Sequence, residues 1–413
     1  MMQKPPKMEN QDQVIIKKNI GCDLEAMPSE GVHDFKDIHG IKRSTPKENK
    51  ILMAISYPDT RLKKELESLK KSGYKVSLII WERSWPFILD DDVEVKSLKL
   101  DVPVGHVKTL FYFPVWWIFL LFWLLVMKWD VLHAVNFDTY LFSIIVAKIK
   151  RKPVVYDIFD FYGDVMEGFL RPLISNLDNF TMKFADVIII ADDSRIYQIG
   201  QNIKNKIITI NNAPEESLFW KNRKNKEDNE FKIFLGGKIT GQRCTDLIIS
   251  AIKDIENVQL IIKGYCGEKN YINKLLALTN DMKNVSMDLS GVLYDEIIQN
   301  TLDADLTLAL YDPGIPNNVY ASPNKLFEAM ASGIPIIVNE NTSMANIVQK
   351  ENCGVVIPYG DKESLIGAIS CLKDNEGLRK RLGYNGRKAY ENKYNWKIME
   401  NRLNSIYHQV LKG

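Results

Sequence analysis

The sequence predicts a mixed α/β protein made of two successive units, each a parallel sheet with helices packed against it. Three observations predict this. Short apolar runs of strand length alternate with stretches of helical spacing. The alternation opens at Ile51 and restarts at Phe231. A charged polar run, Lys221–Glu230, separates the two series as a domain boundary would. The chain has 413 residues, enough for two cores.

The elements follow in order. Residues 1–50 carry Pro5, Pro6, Pro28, Pro46 and many charges, and are expected to be an irregular N-terminal extension. Partial packing of this stretch on the first domain stays open. The first domain, 51–220, begins with the apolar run Ile51–Ser56. A helix over Lys63–Ser72 has Leu66 and Leu69 at helical spacing, continuing from Leu62, and stops at Gly73. Lys75–Ile80 is the next strand, completing a βαβ unit. Asp130–Val135, a helix over Tyr140–Lys150, Pro153–Phe159, Asp186–Ala191 and Lys206–Asn212 continue the pattern. The second domain, 221–395, starts with the strand Phe231–Gly237 and a helix to Lys253. Val258–Gly264, a helix over Lys269–Leu278, Leu306–Leu310, a helix over Lys325–Ala331, Ile334–Val338 and Gly354–Pro358 follow. Residues 396–413 are expected to form a C-terminal helix. Two such units face each other across a cleft, with ligands outside the carboxyl ends of the strands.

Composition excludes several classes. A formal net charge of +2 and the lack of an interleaved basic–aromatic tract argue against a nucleic-acid partner. Cys22, Cys244, Cys266, Cys353 and Cys371 form no CxxC pair, which fits a reducing compartment. His33, His39, His106, His133 and His408 are too scattered for a local zinc motif. The first residues lack the apolar core of a signal peptide.

One segment departs from an ordinary soluble pattern. Leu110–Met127 reads LFYFPVWWIFLLFWLLVM, without a charge. A helix of that length is about 27 Å long, close to a bilayer's hydrocarbon width. A simple span would put strands of one sheet on opposite sides of a membrane, leaving backbone unpaired. Trp116, Trp117, Trp123 and Trp129 favour the membrane interface, and Lys108 and Lys128 bracket the apolar stretch. The expectation is a helix or helical hairpin that dips into one leaflet with both ends cytosolic, and Pro114 starts or bends it. A true span and a buried core or dimer contact are the alternatives.

Three stretches carry chemistry. In SPNKLFEAMASGIPIIV, Ser322–Val338, Ser322 and Asn324 can cap a helix starting near Lys325. Free amides at that start can hold phosphate oxygens, and Lys325 can neutralise a diphosphate. Glu328, about one turn into the helix, can accept bonds from the paired hydroxyls of a ribose. It can equally be a favourable first-turn carboxylate. In Phe234–Ala251, Gly236 and Gly237 end a strand, and a loop presents Lys238, Gly241, Gln242 and Arg243. Glycines admit close approach and Arg243 offers a multidentate cation, but the stretch is neither a Walker loop nor a full dinucleotide fingerprint. A plain β–α turn is the alternative. In the first domain, His133, Asn136 and Asp138 follow one strand, while Asp157, Asp160, Tyr162 and Asp164 follow another. These carboxylates can bind sugar hydroxyls, polarise an acceptor or recruit a cation. Arg61, in the first β–α loop, can pair with a carboxylate across the cleft or touch the acceptor.

Together these stretches resemble the retaining glycosyltransferases of family 4, with the GT-B fold of two facing Rossmann-like domains. The resemblance runs from about Ile51 to the C-terminus. Its most specific match is SPNKLFEAMASGIPIIV, joined by NCGVVIPYGD (Asn352–Asp361), NNAPE (Asn211–Glu215), DTRL (Asp59–Leu62), SLKKSGYKVSLI (Ser68–Ile79), DVLHAVNFDT (Asp130–Thr139) and VVYDIFDFYGD (Val154–Asp164). It implies that the second domain holds a nucleoside diphosphate sugar and the first holds the acceptor. The donor site would comprise Gly236, Gly237, Lys238, Arg243, Gly264, Ser322, Pro323, Asn324, Lys325, Leu326 and Glu328. Asp160, Arg243, Lys325 and Glu328 would serve catalysis. Arg61, Asn136, Asp138, Asp157 and Asp160 would lie on the acceptor side. No metal and no tightly bound cofactor is implied; the nucleotide sugar is a substrate.

Three positions depart from the family pattern. Of two glutamates usually seven residues apart, only Glu328 is present, and Tyr320 stands at the first. Phe159 replaces a common histidine. Gly237 stands at the phosphate loop's arginine, and Arg243 takes the lysine's role after a one-residue insertion. The implied activity is a retaining, hexosyltransferase-type transfer. The apolar segment adds a polyprenyl-linked or glycolipid acceptor and a peripheral or monotopic place on the cytoplasmic face of the cell membrane. The alternatives are a sugar-nucleotide epimerase or hydrolase, and a degenerate membrane-bound scaffold.

Overall fold

The computed structural model describes residues 49–83, 89, 92–102, 111–165, 168, 170–199, 201–220 and 230–412. The N-terminal extension up to residue 48, most of the polar run at 221–229, and Leu110 lie outside the described residues.

The first sheet holds seven parallel strands: β1 (Lys50–Ile55), β2 (Lys75–Glu82), β3 (Glu94–Lys99), β4 (Val131–Val135), β5 (Val154–Ile158), β6 (Val187–Ile190) and β7 (Ile207–Thr209). Their spatial order is β3-β2-β1-β4-β5-β6-β7. The second sheet holds six: β8 (Phe231–Lys238), β9 (Val258–Tyr265), β10 (Val285–Asp288), β11 (Leu306–Ala309), β12 (Ile336–Asn339) and β13 (Gly354–Ile357). Their order is β10-β9-β8-β11-β12-β13. The order reverses between β1 and β4, and again between β8 and β11. These switch points leave crevices at the carboxyl edges.

The strands form where apolar runs are buried on both faces: β1 is buried from Ile51 to Ile55, and β4, β5, β6, β11 and β12 throughout. Two strands lay beyond the sequence reading. EVKSLK of β3 and VSMD of β10 are the outermost strands of their sheets and only half-buried. An edge strand needs no continuous apolar run, so neither carried a signal.

Helices cover the first sheet. Helix α1 (Thr60–Lys71) is capped by Asp59, whose carboxylate accepts from the amides of Arg61 and Leu62. Helix α2 (Phe113–Val126), α3 (Phe137–Lys150) and α4 (Leu170–Met182) follow in sequence. The apolar segment is a single helix of 14 residues, not a hairpin. At about 21 Å it is shorter than a bilayer core. Among the described residues no helix is long and apolar enough to cross a membrane. Pro114 lies in its first turn and starts it without a kink. Phe113, Trp116, Leu120 and Leu124 form one buried row against Trp81, Leu132 and neighbouring core residues. Each such side chain contributes about 1.5–3 kcal/mol on burial. The opposite face leaves Ile118, Phe122, Leu125 and Val126 exposed.

In the second unit, α5 (Asn324–Ser332) precedes β12 and ends at Gly333 in the left-handed conformation. The last helix, α6 (Trp396–Lys412), crosses back to the first sheet. Trp396, Met399, Leu403, Ile406 and Tyr407 pack with Ile51, Met53 and Leu66. The indole of Trp396 donates to Ser68 Oγ at 2.9 Å.

Candidate active site

The second domain's wall of the cleft is built at the carboxyl ends of β8 and β11. Strand β8 ends in Gly236, Gly237 and Lys238. Gly237 has φ +90°, and a Cβ there would lie 3.6 Å from Lys325 Cε. Gly264 enforces this approach from the next strand. A Cβ on it would sit 1.8 Å from the Gly237 carbonyl oxygen. Its part is to let β9 press the loop into place.

Arg243 closes a single turn at Gly241–Arg243, and its guanidinium lies over the Tyr311 ring. Its Nη1 is buried without a partner. Burial lowers its pKa to about 9, against the pull of Asp160. Lys325 is held down to about 7, by burial first and then by Arg243, with Glu328 acting the other way. Glu328 is buried, and burial raises its pKa while Tyr294, Lys325 and Lys64 oppose the shift. The arrangement is two neighbouring cations, Arg243 and Lys325, and one carboxylate held by Tyr294.

The capping expectation is corrected. Pro323 occupies the cap position of α5, Asn324 is its first residue, and no side chain caps it. Ser322 Oγ is buried without a partner, while its carbonyl accepts from Asn212 Nδ2 at 3.0 Å. Proline's extended backbone turns the Ser322 side chain away, so no side-chain acceptor covers the first-turn amides. Glu328 is the fifth helical residue, slightly deeper than expected. Leu326 points into the second core.

The acceptor-side residues divide in two. Asp160 is exposed at the cleft, accepts from Asn317 Nδ2 at 2.8 Å and lies 3.8 Å from Arg195 Nη2. Asn136 shapes that loop: its side-chain oxygen accepts from the amides of Phe159 and Asp160 at 3.0 and 3.1 Å. Asp138 is buried near Arg83. Arg61 and Asp157 pair with each other within the first domain, which corrects the expected pairing across the cleft. Arg61 Nη2 pairs with both Asp157 oxygens at 2.9 and 3.0 Å, and Nε pairs with Glu65 at 2.9 Å. Its Nη1 donates to Ile210 O and to Asn212. All of this is buried within the first domain and its exit strand, so the pairing is not across the cleft.

Glu65, His133 and Asp157 come within cation-binding distance of one another. The Arg61 guanidinium already supplies positive charge there. Burial pushes the His133 pKa to about 4, and its Nδ1 meets the Tyr407 hydroxyl.

Sequence reasoning missed Tyr294, Tyr311, Arg195 and Asn317. Arg195 carried a usable signal, since it follows a strand at a carboxyl edge. It is buried, and its Nε has no partner. Tyr294 and Tyr311 reach the site through tertiary packing alone.

A profile described as "Glycosyl transferases group 1" matches residues 216–389. This stretch holds the loop at Gly237, Arg243 and α5. Residues 216–389 form a group 1 glycosyltransferase domain. The capsular polysaccharide biosynthesis glycosyltransferase CapM of Staphylococcus aureus is 26% identical over 306 residues, covering 66% of this chain and 74% of that protein. Sucrose-phosphate synthase from Thermosynechococcus elongatus superposes with a TM-score of 0.70 at 15% identity, over 88% of this chain and 99% of that one. Anabaena Alr3699/HepE in complex with UDP-glucose gives 0.64 at 15% identity, over 87% and 99%. The fold is GT-B, and the chain is a glycosyltransferase. The group 1 domain thus supplies one wall of the cleft, and the first sheet supplies the other.

Proposed function

We propose that this glycosyltransferase moves a sugar from a nucleoside diphosphate sugar, with retention, to a lipid-linked acceptor at a membrane surface. One observation carries the donor reading: the uncapped start of α5, Lys325 and Arg243 converge beside Gly237, with buried Glu328 behind them. Amides and cations suit a diphosphate, and a carboxylate suits the ribose hydroxyls. The likeness to a protein crystallised with UDP-glucose supports the same donor class.

In this reading the bond from the anomeric carbon to the diphosphate oxygen breaks, and the acceptor oxygen bonds to that carbon on the same face. The acceptor proton passes to the departing phosphate oxygen. Arg243, Lys325 and the α5 amides stabilise the charge that develops there. Asp160 orients hydroxyls from the opposite wall. Tyr320 stands near the cleft where the family has a carboxylate, so the sugar loses that contact.

The exposed face of α2 supports the lipid part. Ile118 is 70% exposed, and on the neighbouring α3 Ile149 is 71% exposed. Helix α4 packs beside α3 and adds Leu173, Leu177 and Phe180. Large exposed apolar patches mark interaction surfaces. Labelled nucleotide sugars incubated with the full chain, lipid-linked acceptors and soluble sugars test the reading. Transfer to lipid is expected. Transfer to soluble sugars alone removes the lipid acceptor; free or epimerised sugar without transfer favours a hydrolase or epimerase; no product favours a scaffold.

A further inference from the structure

Arg83 follows β2 at the carboxyl edge of the first sheet. Its side chain is 7% exposed, yet Nε and Nη2 have no hydrogen-bond partner among the described residues. Asp138 lies beside it, with Nη2 to Oδ2 at 4.0 Å, beyond hydrogen-bond reach. Asp138 is buried with the side chains of Ser56 and Tyr162 beside its carboxylate. The guanidinium lies 4.1 Å from the Trp81 ring centroid and 5.5 Å from that of Phe113. A guanidinium keeps its charge, and leaving its buried donors unspent costs free energy. Such groups call for an explanation, and an anion that completes the pairing is one.

The surroundings say which anion. Phe113 begins α2, and the Trp117 indole donates to the Asp138 carbonyl at 2.8 Å. The first turn of α2 therefore stands against Arg83 and Asp138. From that turn the helix carries its exposed apolar face outward through Ile118, Phe122 and Leu125. A buried cation stands beside the first turn of a helix whose opposite face is apolar and exposed. The matching ligand has an anionic head and an apolar tail.

We infer that Arg83 binds a phosphate group of a lipid whose chain lies along the exposed face of α2. Asp138 holds the guanidinium loosely until the phosphate arrives. This rests on the lipid-acceptor reading and adds the head-group chemistry and the residue that reads it.

The test is cosedimentation of the full chain with phosphatidylcholine vesicles containing either a polyprenyl phosphate or the matching polyprenol. The unmutated protein should prefer the phosphate vesicles by about tenfold, the scale of one charge-assisted contact. Arg83→Gln should erase the preference, Arg83→Lys should keep part of it, and Asp138→Asn should increase it by freeing the cation. An unchanged preference in Arg83→Gln overturns the inference. So does a loss in Asp138→Asn equal to that in Arg83→Gln, which marks a merely structural ion pair. Equal competition by water-soluble glycerol phosphate overturns the lipid source. Nucleotide binding is measured on the same samples and should be equal in Arg83→Gln and unmutated protein. Its absence in the unmutated protein sinks the donor reading and leaves the vesicle result standing.

Discussion

Asp160 and Asn317 join across the cleft: the Asn317 amide donates to Asp160 Oδ1 at 2.8 Å. One residue belongs to the loop after β5, the other to the short helix Pro316–Val319 near α5. The bond ties the first domain's wall of the cleft to the second domain's, and Arg195 lies beside both residues.

Removing the carboxylate should therefore separate binding from chemistry. Asp160→Ala is expected to lower kcat by about a hundredfold, the scale of one lost polar group in a preorganised site. Nucleotide affinity should change little, because the contacts proposed for the diphosphate lie on the other wall. Steady-state kinetics with calorimetry of nucleotide binding checks both.

Lys325 predicts a pH dependence of donor affinity. In the free protein burial and Arg243 hold its pKa at about 7. A bound diphosphate is an opposite charge and raises it. Above pH 7 binding must take up a proton, so affinity falls as pH rises, by at most about tenfold per pH unit. Below pH 7 the ammonium is already charged, and this group adds no slope. Calorimetry of nucleoside diphosphate binding at several pH values should show the slope, and Lys325→Arg should flatten it.

Gly264→Ala should damage the donor loop without touching ligand. The added methyl meets the Gly237 carbonyl oxygen at 1.8 Å, so β8 and β9 must move apart. KM for the donor should rise about tenfold or more, because a small misplacement of a positioned group is costly. Normal donor KM in a folded variant would contradict the packing role.

Most of the fold was legible because its central strands are buried on both faces, as in Val131–Val135 and Ile336–Asn339. Periodicity fails at the edges, where Glu94–Lys99 and Val285–Asp288 are half-exposed. The proposed donor site is local in part: Gly237, Arg243, Lys325 and Glu328 stand on contiguous β–α stretches. Tyr294 and Asn317 come from other segments, and only folding brings them to Glu328 and Asp160. The pairing of Arg61 with Asp157 inside the first domain was not legible for the same reason. Both stand at carboxyl-edge positions that suit a ligand, but α6 and the exit strand cover them.

That buried pair sets a stability prediction. Arg61→Ala leaves Asp157 and Glu65 buried without their shared cation, and should cost about 3–5 kcal/mol. Urea denaturation of the first-domain core measures it. A loss below about 1 kcal/mol would show that water reaches the cluster.

The most direct measurement is a crystal structure of the full chain with an intact nucleoside diphosphate sugar. The diphosphate is predicted within hydrogen-bond distance of Arg243, Lys325 and the first amides of α5, with the ribose on Glu328. A nucleotide bound away from these groups would contradict the account.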